Sequence, residues 1–272
     1  ISFTSFGSSG VCGTLGATKK KHKNMQISSD SIFHLTKSKE ILINILTEGF
    51  KFSYCRDIFK NGNSIINFYT PIVSFCDIPL SQIEDHVSKY GKYGIGLSKK
   101  WAQRMRLNPV LYMDKESFLF ESYLTVYKEY ITKKAGFNWK ELSEPEKGII
   151  EILRYTKMVQ DDLYRESTGM IYDYKFSDEK EWRIAAGFSE EYSMLLDGFI
   201  VDAGERKHEM NQHLENLRLE FEDDDIKYLI FENEEERVEI IKDIRLIKKF
   251  NNEQQDLMIS KLICYEDISR DI

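Results

Sequence analysis

Cysteine is sparse in this chain and falls into no pattern. Cys12, Cys55, Cys76 and Cys264 are scattered over 272 residues without a CxxC pair. That excludes a zinc knuckle and a disulfide framework, and it points to a reduced, cytoplasmic protein. Long apolar runs are missing as well. None approaches the roughly 20 residues of a membrane span, and the N-terminal segment has no secretory apolar core, so no membrane role is expected. Basic charge is not in excess, since 38 Lys and Arg face 45 Asp and Glu for a formal charge of −7. Residues 1–24 hold Lys19, Lys20, Lys21 and Lys23 and no acid, so the remainder carries −11. A broad phosphate-binding surface is thereby disfavoured, and nucleic acid is expected only as a substrate.

Proline is scarce but concentrated. Three of the four prolines (Pro71, Pro79 and Pro109) lie in or near one stretch that also carries Gly91, Gly94 and Gly96 within six residues. Such a stretch fixes backbone shape. Asp77, His86, Tyr90 and Tyr93 ride beside its turns, which is a common way to build a ligand site. Aromatics are abundant, with 17 Phe and 15 Tyr in a chain that is 42% hydrophobic. That suffices for one large core or two small ones.

Residues 1–24, rich in Gly, Ser and Thr, read as a disordered arm or a vector remnant, with Met25 as the native start. Residues 25–272 read as a single α+β domain. Ile32 to Thr36 suits a buried strand, and Ser38 caps a helix with Ile41, Leu42, Ile45 and Leu46 on one face, closed by Gly49. Strands are predicted at Ile72–Phe75, Tyr93–Leu97, Val110–Met113, Trp182–Ala186, Gly198–Val201, Lys227–Phe231 and Ile244–Ile247. Helices are predicted after Asp77 and Pro79 up to Gly91, over Ser98–Met105, over Glu234–Ile241 and over Glu253–Ile263. From Asp114 to about 170 the spacing is helical, with Phe120, Tyr123, Tyr127 and Tyr130 forming a stripe, so a helical insertion is expected there.

Four constellations are candidates for chemistry. His34 and Thr36 share one face of a strand and can hydrogen-bond a ribose, although a core histidine bonded to a carbonyl is the plainer explanation. Glu179, Glu181 and Arg183 also share a face at period two. Two adjacent carboxylates raise each other's pKa and can polarise a hydroxyl. Arg183 either moderates that repulsion or binds a phosphate, and the bland alternative is a solvated edge with an ion pair. Around the turns, Asp77 is expected as a helix cap and Cys76 as a small buried hydrophobe. Tyr90 and Tyr93 are equally placed to offer an open ring beside glycine. His208 and His213, five apart, do not share a helical face and make a poor metal pair.

These residues carry a resemblance. Phe33-His-Leu-Thr-Lys, Ile45-Leu-Thr-Glu-Gly-Phe, Ile72-Val-Ser-Phe-Cys-Asp-Ile-Pro-Leu and Tyr90-Gly-Lys-Tyr-Gly-Ile-Gly-Leu-Ser-Lys resemble the AbiGi family of abortive phage resistance proteins. The likeness runs more weakly through Glu179-Lys-Glu-Trp-Arg, covering most of residues 25–250. It implies a role in phage defence as the antitoxin-like member of a two-gene operon, and hence an operon partner protein, toxin or antitoxin.

More distantly, the order of motifs is similar to ADP-ribosyltransferases, including DarT-like toxins. That implies an ADP-ribosyltransferase-like mixed or antiparallel sheet core and NAD as substrate, with no metal. By that resemblance His34 and Thr36 hold the NAD ribose, Tyr93 or Tyr90 stacks on nicotinamide, Glu181 is the catalytic acid and Glu179 its accessory. Arg183 would assist binding. The acceptor would be a phage or host macromolecule, or water in the case of an NAD hydrolase. The alternative is a sensor or antitoxin that binds a partner without catalysis.

Overall fold

A computed structural model describes residues 29–62, 64–132, 139–165, 169–198, 201 and 206–271. The predicted arm over 1–24 lies outside the described residues. The strands are β1 (Ser31–Thr36), β2 (Phe50–Lys51), β3 (Ser53–Asn61), β4 (Ser64–Cys76), β5 (Tyr93–Ser98), β6 (Asn108–Pro109), β7 (Leu111–Met113), β8 (Thr156–Met158), β9 (Gln160–Arg165), β10 (Gly169–Lys175), β11 (Glu181–Ala185), β12 (Leu196–Asp197), β13 (Arg218–Leu219), β14 (Ile226–Phe231) and β15 (Leu262–Cys264). The helices of the first half are α1 (Lys39–Glu48), α2 (Glu84–Tyr90), α3 (Lys99–Arg104), α4 (Phe118–Tyr127) and α5 (Glu144–Arg154). The fold is α+β.

Nine of these strands form one sheet, ordered β15–β14–β5–β1–β4–β11–β6, with β3 and β12 also paired to β4. It is antiparallel except for the parallel β14–β15 pair. Its register shows how the site arises. Cys76 of β4 pairs with Phe33 of β1 and with Glu181 of β11. Ile72 of β4 pairs with Ser53 of β3 and with Ala185 of β11. β1 and β3 therefore share the edge of β4 opposite β11, and they part between Ile72 and Cys76. The gap opens at Ser74.

β5 lies fully buried between β1 and β14. Gly96 permits its close approach, because a Cβ there would sit 2.8 Å from the Phe33 ring. Gly91 ends α2 with φ +116°, a conformation that favours glycine, and a Cβ would lie 2.1 Å from the Thr36 carbonyl oxygen. Ser38 caps α1 as predicted, and Leu42, Ile45 and Leu46 are buried while Ile41 is exposed. These side chains join Phe50, Phe75, Trp101 and Phe221 in the main core. Each large apolar side chain so buried contributes about 1.5–3 kcal/mol. A second cluster packs Phe120, Leu124 and Leu153 of the insertion against Phe59 and Phe68.

The insertion departs from the expectation. It is helical in α4 and α5, but beyond Arg154 the chain is extended. β8 pairs in parallel with β7, and β9 with β10 makes a hairpin. Partner strands, which periodicity cannot show, override the local reading. Ile244–Ile247 is likewise not a strand: Ile244 ends the buried face of a helix over Arg237–Arg245, together with Ile240. The helix expected over Glu253–Ile263 is present at Asn252–Ile259, and only its last two residues pass into β15. Glu179 sits in a single 3-10 turn, Phe176–Glu179, rather than in the strand that follows. Among the described residues no helix is long and apolar enough to cross a membrane.

Candidate functional site

The gap beside Ser74 is the mouth of a small cleft of about 160 Å³, whose walls include His34, Ser74, Tyr90, Lys157, Glu179 and Glu181. Five separate segments bring these residues together. β1 supplies His34, whose Nδ1 donates to the Ser74 carbonyl at 2.8 Å. The imidazole stands edge-on to Phe50 and Phe75. Burial lowers its pKa, partly offset by the Ser74 carbonyl, so the ring is neutral near pH 7.

The acidic pair is held by a buried charge network. Arg183 grips Glu181 with a fork, Nε to Oε1 at 2.7 Å and a terminal nitrogen to Oε2 at 3.0 Å. The other terminal nitrogen reaches Asp57 at 2.9 Å and the Arg154 carbonyl at 3.1 Å. Lys157 bridges Glu179 at 2.7 Å and Glu181 at 2.8 Å. Glu179 also accepts from the Tyr90 hydroxyl and, at 2.9 Å, from the Tyr174 hydroxyl. The backbone N–H of Glu181 donates to the Tyr112 hydroxyl. All three acids and Arg183 are buried.

Adjacent carboxylates raise each other's pKa, as Glu181 does for Glu179, but here the nearby cations outweigh that repulsion. Burial disfavours charge on Glu181, but Arg183 and Lys157 outweigh it and hold the carboxyl at about 2. Glu179 is lowered too: burial opposes its charge, and Lys157 with the Tyr90 hydroxyl overcomes that. Lys157 is destabilised by burial yet held well above its usual value by Glu181 and Glu179. The Tyr90 hydroxyl is pushed up by burial and by Glu179. Burial lifts the Cys76 thiol to about 12, so it is no nucleophile.

The other predicted positions fall elsewhere. Tyr93 is outside the cleft lining; its hydroxyl donates to Glu236 at 2.6 Å. Tyr90 is the tyrosine at the cleft. Thr36 donates to the Ser38 carbonyl beside α1 and does not line the cleft. Arg183 has its guanidinium committed to Glu181, Asp57 and Arg154, so it moderates carboxylate charge and has no donor pair left for a phosphate. Asp77 is not a helix cap: it pairs with Lys99 at 2.6 Å and accepts from the Trp182 indole at 3.2 Å. His86 is buried and stacks on Tyr90, and neither ring nitrogen has a hydrogen-bond partner among the described residues.

Asp57, Tyr112, Lys157 and Tyr174 were not foreseen. Each comes from a segment with no motif, and only the fold brings it to the acids. A second cavity of about 370 Å³ adjoins the cleft, sharing Asp57, Tyr90, Lys157 and Glu179 and adding Phe59, Met158 and Phe176. A group with metal-ligand spacing, Glu234, Cys264 and Asp267, lies outside both linings.

The family model described as "Putative abortive phage resistance protein AbiGi, antitoxin" matches residues 40–232. The chain belongs to the AbiGi family. A relative named abortive phage resistance protein AbiGi, from Lactococcus lactis subsp. cremoris, is 26% identical over 232 residues, covering 79% of this chain and 93% of that protein. No solved structure shows a significant match. The AbiGi match spans β3, β4, α2, β5 and β11, so every residue lining the cleft except Phe33, His34 and Leu35 of β1 falls inside it.

Proposed function

We propose that this AbiGi-family protein acts in abortive phage defence through an ADP-ribosyltransferase-like cleft that takes NAD and transfers its ADP-ribose to a phage or host macromolecule. The observation that carries this reading is the convergence of His34, Tyr90, Glu179 and Glu181 on one cleft. They lie on β1, α2, the 3-10 turn and β11, and a packed core between His34 and Glu181 would have removed the idea.

The charges suit that chemistry. When nicotinamide leaves, positive charge develops on the ribosyl carbon. A fixed carboxylate nearby lowers that barrier, as in glycoside hydrolysis. Glu181, held at about 2, is an anion at neutral pH and acts by charge and by accepting a hydroxyl hydrogen bond, not as a proton donor. Arg183 and Lys157 use three of its roughly four lone-pair directions, which leaves one on Oε1 for a ribose hydroxyl. Neutral His34 offers an imidazole rather than a charge.

A second reading has its own support. Both oxygens of Glu181 already have partners, and the cleft of about 160 Å³ is below the roughly 300 Å³ of ordinary small-molecule sites. With the antitoxin description of the family, this favours a binding protein that holds a toxin partner without catalysis. The test is nicotinamide release and labelled ADP-ribose transfer by the full chain in lysate from phage-infected cells, beside Glu181→Gln. Transfer lost in the variant supports the first reading, and release without transfer makes the protein an NAD hydrolase. No turnover by the parent, together with stable co-purification of an operon neighbour, supports the second.

A further inference from the structure

Lys157 is a wall of the cleft that belongs to no motif of the sequence. It comes from β8, at the end of the insertion, and its ammonium is placed with care. Nζ lies 2.7 Å from Glu179 Oε2 and 2.8 Å from Glu181 Oε2, and it sits 4.9 Å above the Phe176 ring. The side chain lines both the small cleft and the larger cavity beyond it.

We propose that Lys157 is a positioning residue of this cleft, clamping Glu179 and Glu181 side by side and giving the two carboxylates different dependence on a single cation. The proposal rests on reading the cleft as an NAD site, where the state of the acid pair governs ribosyl transfer. The asymmetry follows from the partners. Glu181 has two cations, because Arg183 from its own strand forks onto it while Lys157 adds a third bond. Glu179 has Lys157 as its cation among the bonds that reach it, and its remaining donors are the neutral hydroxyls of Tyr90 from α2 and Tyr174 from β10. Asp57 of β3 faces Arg183, the Tyr112 hydroxyl of β7 faces the Glu181 backbone, and from α2 His86 lies within electrostatic reach of Glu179 while Lys89 sits over the Tyr174 ring.

Removing the ammonium at constant volume therefore splits the pair. In Lys157→Met, Glu181 keeps its fork and stays ionised. Glu179 is left buried beside another carboxylate with hydroxyl donors only, so burial and like charge together drive its titration upward. One acid becomes neutral at a pH where both were charged. Packing loss alone would move neither selectively.

The experiment is a carbon-13 titration of side-chain carboxyls in glutamate-labelled full-length protein, with Glu179 and Glu181 assigned by single Gln substitutions. Parent, Lys157→Met and Lys157→Arg are compared, with far-ultraviolet circular dichroism to confirm folding. In the parent both carboxyls titrate below 4.5. In Lys157→Met, Glu179 moves above 4.5 while Glu181 remains below it, and Lys157→Arg returns Glu179 downward. Nicotinamide release by Lys157→Met is expected to fall as pH drops and Glu179 takes up its proton, a slope the parent lacks over the same range. Glu181 moving further than Glu179, or neither moving, overturns the proposal. If Met disrupts folding, failure of Arg to keep Glu179 below 4.5 overturns it equally. An unresponsive parent in the NAD assay removes the transferase reading by itself, and the titration still decides what Lys157 does to the pair.

Discussion

Arg183→Met is the perturbation whose size the structure defines best. The side chain is 1% exposed and serves two buried acids, Glu181 and Asp57, plus the Arg154 carbonyl. Methionine fills a similar length without charge, so the cost is mainly electrostatic. Breaking a buried ion pair by removing one partner costs about 3–5 kcal/mol, because the other charge is left uncompensated. The pH dependence is a sharper signature. Glu181 titrates at about 2 in the folded state against an ordinary 4.5, a gap worth ~3 kcal/mol. A depressed carboxylate stabilises the fold at pH above 4.5, and that contribution is lost as pH falls from there through about 2. In Arg183→Met the depression shrinks or reverses, since Lys157 alone faces Glu181 and burial opposes charge. The variant should therefore be weaker than the parent by ~3–5 kcal/mol at pH 7, and the difference should narrow toward pH 4 as its acids take up protons. Urea unfolding followed by tryptophan fluorescence reads this directly, with Trp101 fully buried in the core. An equal loss at both pH values, or a loss under about 1 kcal/mol at pH 7, would refute the reasoning.

Tyr90→Phe removes one hydroxyl donor from Glu179 while Tyr174 and Lys157 remain. It should cost about 1.5–3 kcal/mol and move the acid unfolding midpoint to higher pH, as a pH-jump denaturation series would show. Gly91→Ala forces a side chain onto φ +116° with its Cβ 2.1 Å from the Thr36 carbonyl oxygen. The φ strain alone costs about 1–3 kcal/mol and the clash adds to it, so a clear fall in thermal midpoint is expected and an unchanged one would count against the packing of α2 on β1.

What the sequence by itself determined is whatever depends on near neighbours. Ser38 and Gly49 bracket α1, Ser98 opens α3, and Gly91 stops α2, because caps and positive φ are local matters. The alternation from Glu181 to Ala185 marked β11, and the family resemblance found the stretch that lines the cleft. His34, Tyr90, Glu179 and Glu181 were all named from residue type and motif order.

Tertiary structure decided the rest. Tyr90 and Tyr93 were equivalent in sequence, and only the turn at Gly91 sends one to the cleft and the other to Glu236. β8, β9 and β10 are strands because partners exist for them, and a partner strand leaves no trace in local periodicity. The net charge state of the acid pair was decided in the same way. Two glutamates on their own repel and rise in pKa, whereas Arg183 and Lys157, folded in beside them, make both anions stable. Coulomb interactions act over a few ångströms of space, and the distance from Lys157 to Glu181 in space is set by the whole sheet rather than by the chain between them.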